Sequence, residues 1–231
     1  MCAASPLIIK SLKEQVYDFL RDQIHRQILR PGMAISLDRT SQELGISRTP
    51  LRDALIQLEM EGFVAIKARR GIFVKGLSLD EIGQFYQVIG ALEQSALMVA
   101  GPGLNAATVG EMRNLNDEMR RAVQEGHFDN FYALNLEFHN VFLSRSHNQH
   151  LIRIVDNFKK RLYDFPFQEK WLKEWELSSV GEHEQVVAYL EQGDVTTAAR
   201  FIHDVHWGFD YQRTYIEKYY FPNVSFAHNP N

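Results

Sequence analysis

The sequence predicts a mainly α-helical chain in two parts: three helices with a β-hairpin over residues 1–76, then an all-helical bundle of six or seven helices over 77–231. Strand-like runs occur only near the end of the first part, and from Leu79 onward apolar residues recur at helical spacing. Charge divides at the same place. Residues 1–77 hold twelve Lys/Arg against eight Asp/Glu, which leaves thirteen against twenty-one for the rest. A basic third joined to an acidic remainder indicates two modules with different partners, and phosphate suits the first.

Taken in order, Ser11 caps a first helix whose apolar stripe runs Val16, Phe19, Leu20, Ile24, Ile28, and Pro31-Gly32 ends it. A short second helix spans Asp38 to Leu44, with Gly45 as its C-terminal cap. Ser47 caps a third, Arg48 to Glu61, where Pro50 is tolerated in the first turn and Gly62 marks the end. Residues 63–66 and 72–74 form two short strands joined by a basic tip, Lys67 to Gly71. Helix, short helix, three-residue turn, helix and hairpin make a winged helix-turn-helix.

Spacing supplies the chemistry. Arg48 and Arg52 are four apart and share one face at the start of the third helix, while Leu51, Ala54, Leu55 and Leu58 cover the opposite face. An Arg so placed forks onto the O6 and N7 of guanine in the major groove. The Ser47 and Thr49 hydroxyls and the helix N-terminus suit phosphate. At the wing, Gly71 admits a close backbone approach, and Arg69 and Arg70 reach phosphate or the minor groove. Two arginines on a solvated face would explain the charge alone; the turn, cap and wing in sequence favour DNA.

The stretches LKEQVYDFLRDQI, LRPGM, QELGISRTPLRDALIQLEMEGFV and RRGIFV resemble the winged-helix domain of GntR-family bacterial transcription regulators. The resemblance implies that Arg48, Thr49, Arg52 and Gly71 contact operator DNA. Asp38 departs from it, since some relatives carry Arg there.

Composition excludes other classes. Cys2 is the one cysteine, so neither a disulfide framework nor a Cys-rich zinc site is available. No apolar run reaches the roughly 18 residues that span a bilayer, and the start lacks the pattern of a secretory signal. The expectation is a soluble, cytoplasmic protein. No Ser-His-Asp set, phosphate loop or dinucleotide fingerprint is present.

In the second part the expected helices are residues 79–100, 106–125, 128–144, 149–165, 169–176, 179–192 and 195–219, followed by a loose tail over 221–231. Ser179 with Glu182 reads as a capping box. Asn135 and His139 share a face beside Leu136, Phe138 and Phe142; His183 precedes Val186, Val187 and Leu190; His203 and His206 sit three apart beside Trp207. Three helices thus converge imidazoles and an amide on one point, a donor set for zinc, nickel or another divalent ion. Hydrogen-bonded core histidines would give the same pattern.

The segments NLEFHNVFLSRSHNQHL and EHEQVVAYLEQGDVTTAARFIHDVH resemble the FCD effector-binding domain of the FadR branch of that family. The resemblance implies metal ligands Asn135, His139, His183 and His206, with His203 the alternative to His206. It also implies a homodimer that reads an inverted repeat and a small-molecule effector, an organic acid being the default. Asn135 stands where Asp is usual, and Ile89 stands where relatives carry an Arg that forks onto the effector's carboxylate. Arg161 is a stand-in for that Arg, although a side chain snorkelling to solvent explains it as well, and His203 is a second effector contact. The expected function is a ligand-responsive regulator, a repressor by family habit, and not an enzyme. The alternative is a metal-dependent enzyme with a DNA-binding appendage, for which Glu182 is the nominal acid or base.

Overall fold

The computed structural model describes residues 10–163 and 172–224. They form two compact units: residues up to 77 with 160–163, and residues 78–159 with those from 172 onward.

In the first unit, α1 (Leu12–His25) starts at a full capping box, with Ser11 accepting from Glu14 N and Glu14 bonding back to Ser11 N. It ends at His25, earlier than Pro31, because Gln27 takes a left-handed φ of 57°. Its buried stripe is Val16, Tyr17, Leu20 and Ile24, while Phe19 and Ile28 are exposed. The stripe read from sequence was therefore too wide by two residues and lacked Tyr17, whose hydroxyl donates to Glu61. Next come α2 (Leu37–Leu44), closed by Gly45 at φ 66°, and α3 (Arg48–Met60). Leu51, Ala54, Leu55 and Leu58 of α3 are fully buried against Leu20, Ile24 and Phe63 in one core. Ser47 holds the N-cap position of α3 but makes no side-chain capping bond, so the expected cap is absent.

The wing contains a strand that the sequence reading missed. β1 (Ala34–Ile35), β2 (Val64–Lys67) and β3 (Gly71–Val74) form an antiparallel sheet in the order β1-β3-β2, with Ile35 opposite Ile72 and Ile66 opposite Ile72 on its other side. Two residues give no detectable alternation, and β1 exists only because β3 supplies its partner.

The second unit is helical among the described residues. Its elements are α4 (Leu79–Ala100), α5 (Ala106–Glu125), α6 (Phe128–Arg145), α7 (Gln149–Tyr163), α8 (Lys173–Glu191), α9 (Val195–Phe201) and α10 (Phe209–Tyr220). Ile82, Ile89, Leu97, Met112, Met119, Phe138, Phe142, Val155, Val186 and Ile202 are among its fully buried side chains. The buried Asn116 of α5 donates to Val180 O of α8, and at the surface Arg113 and Arg120 of α5 pair with Glu191 and Glu184 of α8.

Two expectations change here. The helices 169–176 and 179–192 are one helix from Lys173, with residues 169–171 outside the described ones; Ser179 is interior, so it caps nothing. Gly181 is accommodated within α8. The single helix 195–219 is instead three pieces, since a π-helical turn, Ile202–His206, follows α9 and Gly208 separates it from α10. The end of the 149–165 helix and most of the expected tail, residues 225–231, also lie outside the described residues.

Candidate DNA interface and metal centre

The start of α3 presents Ser47, Arg48, Thr49 and Arg52 to solvent, because the apolar positions of the same helix face the core. Arg48 pairs with Asp38 of α2 at 2.7 Å, and both side chains are about two-thirds exposed (70% and 64%). The Asp38 carboxylate thus holds Arg48. At the wing tip Arg69 and Arg70 are exposed; Arg69 has φ 58° and Gly71 φ 109°. Left-handed conformations at Arg69 and Gly71 let the three residues 68–70 reverse the chain between β2 and β3.

Three imidazoles meet inside the second unit. His139 from α6, His183 from α8 and His206 from the π turn are all buried, and one ligand nitrogen from each lies within 4.8 Å of the others. His139 Nε2 and His183 Nε2 are 3.3 Å apart, close to the ~3.3 Å edge of a tetrahedron with ~2.0–2.1 Å metal–nitrogen bonds. Asn135 is buried one turn before His139 on the same face of α6. The π turn matters because it separates two histidines that an α-helix would keep on one side: His206 faces the cluster, and His203 is 38% exposed and pairs with Asp204. Gly90 of α4 lets this turn approach, since a Cβ there would lie 3.0 Å from Trp207 Cβ and 3.4 Å from the His203 ring.

Around the imidazoles sits a charged shell that the sequence did not disclose. Glu93 of α4 is fully buried, with Oε2 2.8 Å from His139 Nδ1 and 2.7 Å from Trp207 Nε1, and Oε1 2.5 Å from Lys159 Nζ. Glu182 of α8 lies 2.8 Å from His206 Nδ1 and accepts from Gln212 Nε2 at 2.8 Å and Ser178 Oγ at 3.2 Å. Glu182 is therefore a partner of His206 rather than a helix cap. The sequence signal for Glu93 was its place on an otherwise apolar helix face, among Ile89, Gly90, Ala96 and Leu97.

Burial sets the protonation of the cluster. Removal from water pushes His139 down to about 3, with Lys159 and His206 adding to this against the pull of Glu93. Burial likewise drives His183 well below its usual value, with His206 and His139 adding to it. Burial would raise the Glu93 carboxyl, but His139 and Lys159 outweigh it and hold the group well below the usual carboxylate range. Burial lowers Lys159 despite Glu93. His139 and His183 are therefore neutral imidazoles and Glu93 is an ionised carboxylate behind the first of them, which suits a divalent-cation site.

The two residues assigned to an effector belong to different units. His203 lines a surface cleft of about 310 Å³ with Gln87, Trp207, Phe209 and Tyr211. Arg161, expected either to snorkel or to meet an acid, does not snorkel. It is 1% exposed in the first unit, donates to Gly76 O at 2.9 Å and Lys75 O at 3.4 Å, and lies over the Phe63 ring. A guanidinium engaged by backbone carbonyls and an aromatic face is part of that unit's core.

Comparison with known proteins agrees with this architecture. Residues 12–74 match the profile described as bacterial regulatory proteins, gntR family, and residues 84–205 match the FCD domain. The Nta operon transcriptional regulator of Aminobacter aminovorans is 33% identical over 135 residues, 58% of this chain and 63% of that protein. The transcriptional repressor RspR of Escherichia coli is 24% identical over 148 residues, 64% of this chain and 65% of that one. The chain thus spans just under two thirds of the length of these relatives. The structure of Escherichia coli McbR/YncC superposes with a TM-score of 0.69 at 18% identity, covering 91% of this chain and 100% of that one. A GntR regulator from Rhodococcus sp. RHA1 gives 0.62 at 21% identity, over 91% and 96%. No helix among the described residues is long and apolar enough to cross a membrane.

Proposed function

Because the chain belongs to the GntR-family transcriptional regulators and its C-terminal part is an FCD domain, we propose that it is a DNA-binding repressor controlled by a small molecule. Residues 1–76 bind operator DNA and residues 77–231 bind a metal ion and the effector and form a homodimer. The observation that carries the reading is the exposed pair Arg48 and Arg52 at the start of a helix whose other face is fully buried. Arg48 and Arg52 read guanine edges; Ser47, Thr49, Arg69, Arg70 and the Gly71 backbone hold phosphate or the minor groove. Two-fold symmetry makes the operator a short inverted repeat. Dimerisation is supported by α4, whose outward positions Val88, Ala91, Met98 and Val99 are exposed and which carries no charge after Glu81 except the buried Glu93. The protein works in the cytoplasm, where its operator is.

Asn135, His139, His183 and His206 are the proposed metal ligands, zinc or nickel the proposed ion. When bound, the ion offers a Lewis-acidic position to an oxygen donor of the effector, an organic acid in the first instance. His203 remains a second effector contact through its cleft. Effector binding shifts operator affinity by the difference in its affinity for the DNA-competent and DNA-incompetent states. Engagement of Glu182 by His206, Gln212 and Ser178 supports a sensor over an enzyme, because the nominal acid–base group is already committed.

Selection from a library of randomised duplexes with the full chain tests the regulator reading. Enrichment of an inverted repeat with conserved guanines is expected. Binding without enrichment of any sequence would reduce the first unit to a non-specific DNA binder.

A further inference from the structure

We propose that Glu93 and Glu182 are positioning residues of the metal centre: each takes the Nδ1–H of one ligand imidazole and leaves its Nε2 lone pair to the cation. This rests on the metal reading above and adds to it the residues that fix the tautomers.

The direction of each hydrogen bond is set from the outside inward. An indole N–H and a lysine amine only donate. Trp207 Nε1 donates to Glu93 Oε2 at 2.7 Å, and Lys159 Nζ lies 2.5 Å from Oε1. A carboxylic acid would set its proton against one of these donors, so Glu93 is the carboxylate. The remaining neighbour, His139 Nδ1, lies 2.8 Å from Oε2, and a carboxylate oxygen at that distance favours the N–H over the lone pair at Nδ1. With its proton on Nδ1, His139 has a bare Nε2, the atom that faces His183.

A second chain runs to His206 through different elements. Trp175 Nε1 donates to Gln212 Oε1 at 2.9 Å, which turns the amide NH2 of Gln212 toward Glu182 Oε1 at 2.8 Å and Val205 O at 3.3 Å. Glu182 therefore accepts, and its other oxygen lies 2.8 Å from His206 Nδ1. Both carboxylates are at most 7% exposed. The third imidazole is held differently: no carboxylate lies against His183 among the described residues, and its ring stacks on Phe138 at 4.1 Å.

Only a carboxylate serves these positions. A glutamine at 93 has one oxygen for three convergent donors and would turn its own N–H groups against Lys159 or against His139 and Trp207. The two anions also place negative charge behind two of the ligands, which strengthens the imidazoles as donors and offsets the charge of a buried dication.

The first test needs no variant. Long-range 15N–1H correlation spectra of the metal-free full chain are expected to show His139 and His206 as Nδ1–H tautomers; Nε2–H at either overturns the proposal. Glu93→Gln and Glu182→Gln are then titrated with zinc and cobalt against a competing chelator. Each is expected to bind about 10–100-fold more weakly and to change the cobalt d–d spectrum, with Arg113→Ala as a surface control that does neither. A merely structural role would lower the metal-free melting temperature and leave affinity and spectrum unmoved, and that result also overturns the proposal while the metal site stands. Should a glutamine variant not fold, the tautomer spectra of the unaltered protein decide. Failure of the unaltered chain to bind zinc, nickel or cobalt overturns the metal reading and this inference with it.

Discussion

Gly208→Ala strikes the cluster through the backbone that carries it. Gly208 lies between the π turn and α10, at φ −72° and ψ 102°, a conformation open to any residue. The cost is therefore one of contact. A Cβ on Gly208 would lie 2.2 Å from Asp204 O, 2.9 Å from its carbonyl carbon and 3.2 Å from Val205 O. An ordinary carbon–oxygen approach is about 3.3 Å, so roughly 1 Å must open. Both partners are main-chain atoms of the turn that holds His206, and no flexible side chain can give way. Overpacking of this kind costs about 1–3 kcal/mol, or a fall of about 2–12 °C in the melting temperature of a unit this size. Metal ligand distances tolerate only about ±0.2 Å, so metal affinity should fall with stability. Calorimetry with and without zinc measures both. An alanine variant that melts and binds zinc as the unaltered protein does would show that the turn does not approach Gly208 as described.

Arg48→Ala and Arg52→Ala should each weaken binding to the selected operator by about 1–3 kcal/mol, read by fluorescence anisotropy. Arg48 should lose less, since leaving exposed Asp38 costs up to about 1 kcal/mol; two variants with unchanged affinity would remove α3 as the reading helix. His139 and His183 carry folded-state pKa values below the ordinary 6.5, so the unfolded chain takes up their protons first. Their contribution is whole above pH 6.5 and is lost as pH falls from there toward about 3 for His139, at up to about 1.4 kcal/mol per pH unit for each. The metal-free melting temperature should accordingly drop between pH 8 and pH 5, and a rise would contradict the burial argument. Met98→Glu combined with Val99→Glu should give a monomer on sedimentation, and a persistent dimer would move the interface off α4.

The DNA-reading unit was legible because its signals are local. Ser11, Gly45 and Pro50 mark helix ends within a few residues, and the Leu51–Leu58 stripe orients Arg48 and Arg52 without any distant contact. β1 was not legible, since two residues carry no period. In the bundle, helical spacing selected His139, His183 and His206, but it could not decide between His206 and His203. That choice is made by the π turn, which adds a residue to the local repeat and leaves no compositional mark beyond Gly208. Glu93 and Lys159 were invisible for a related reason: charged residues on helices read as solvated, and only tertiary packing reveals that these two satisfy each other inside the core. The burial of Arg161 was hidden in the same way, since main-chain carbonyls some 85 residues away in sequence engage it.

Metal content tests the central claim most directly. The untagged chain, purified without chelator, is analysed by elemental spectrometry beside His139→Ala and His183→Ala. About one zinc or nickel ion per chain in the unaltered protein, and none in either variant, is the predicted result. A chain that holds no ion, even after incubation with each, or variants that retain it, would return the three imidazoles to the hydrogen-bonded core.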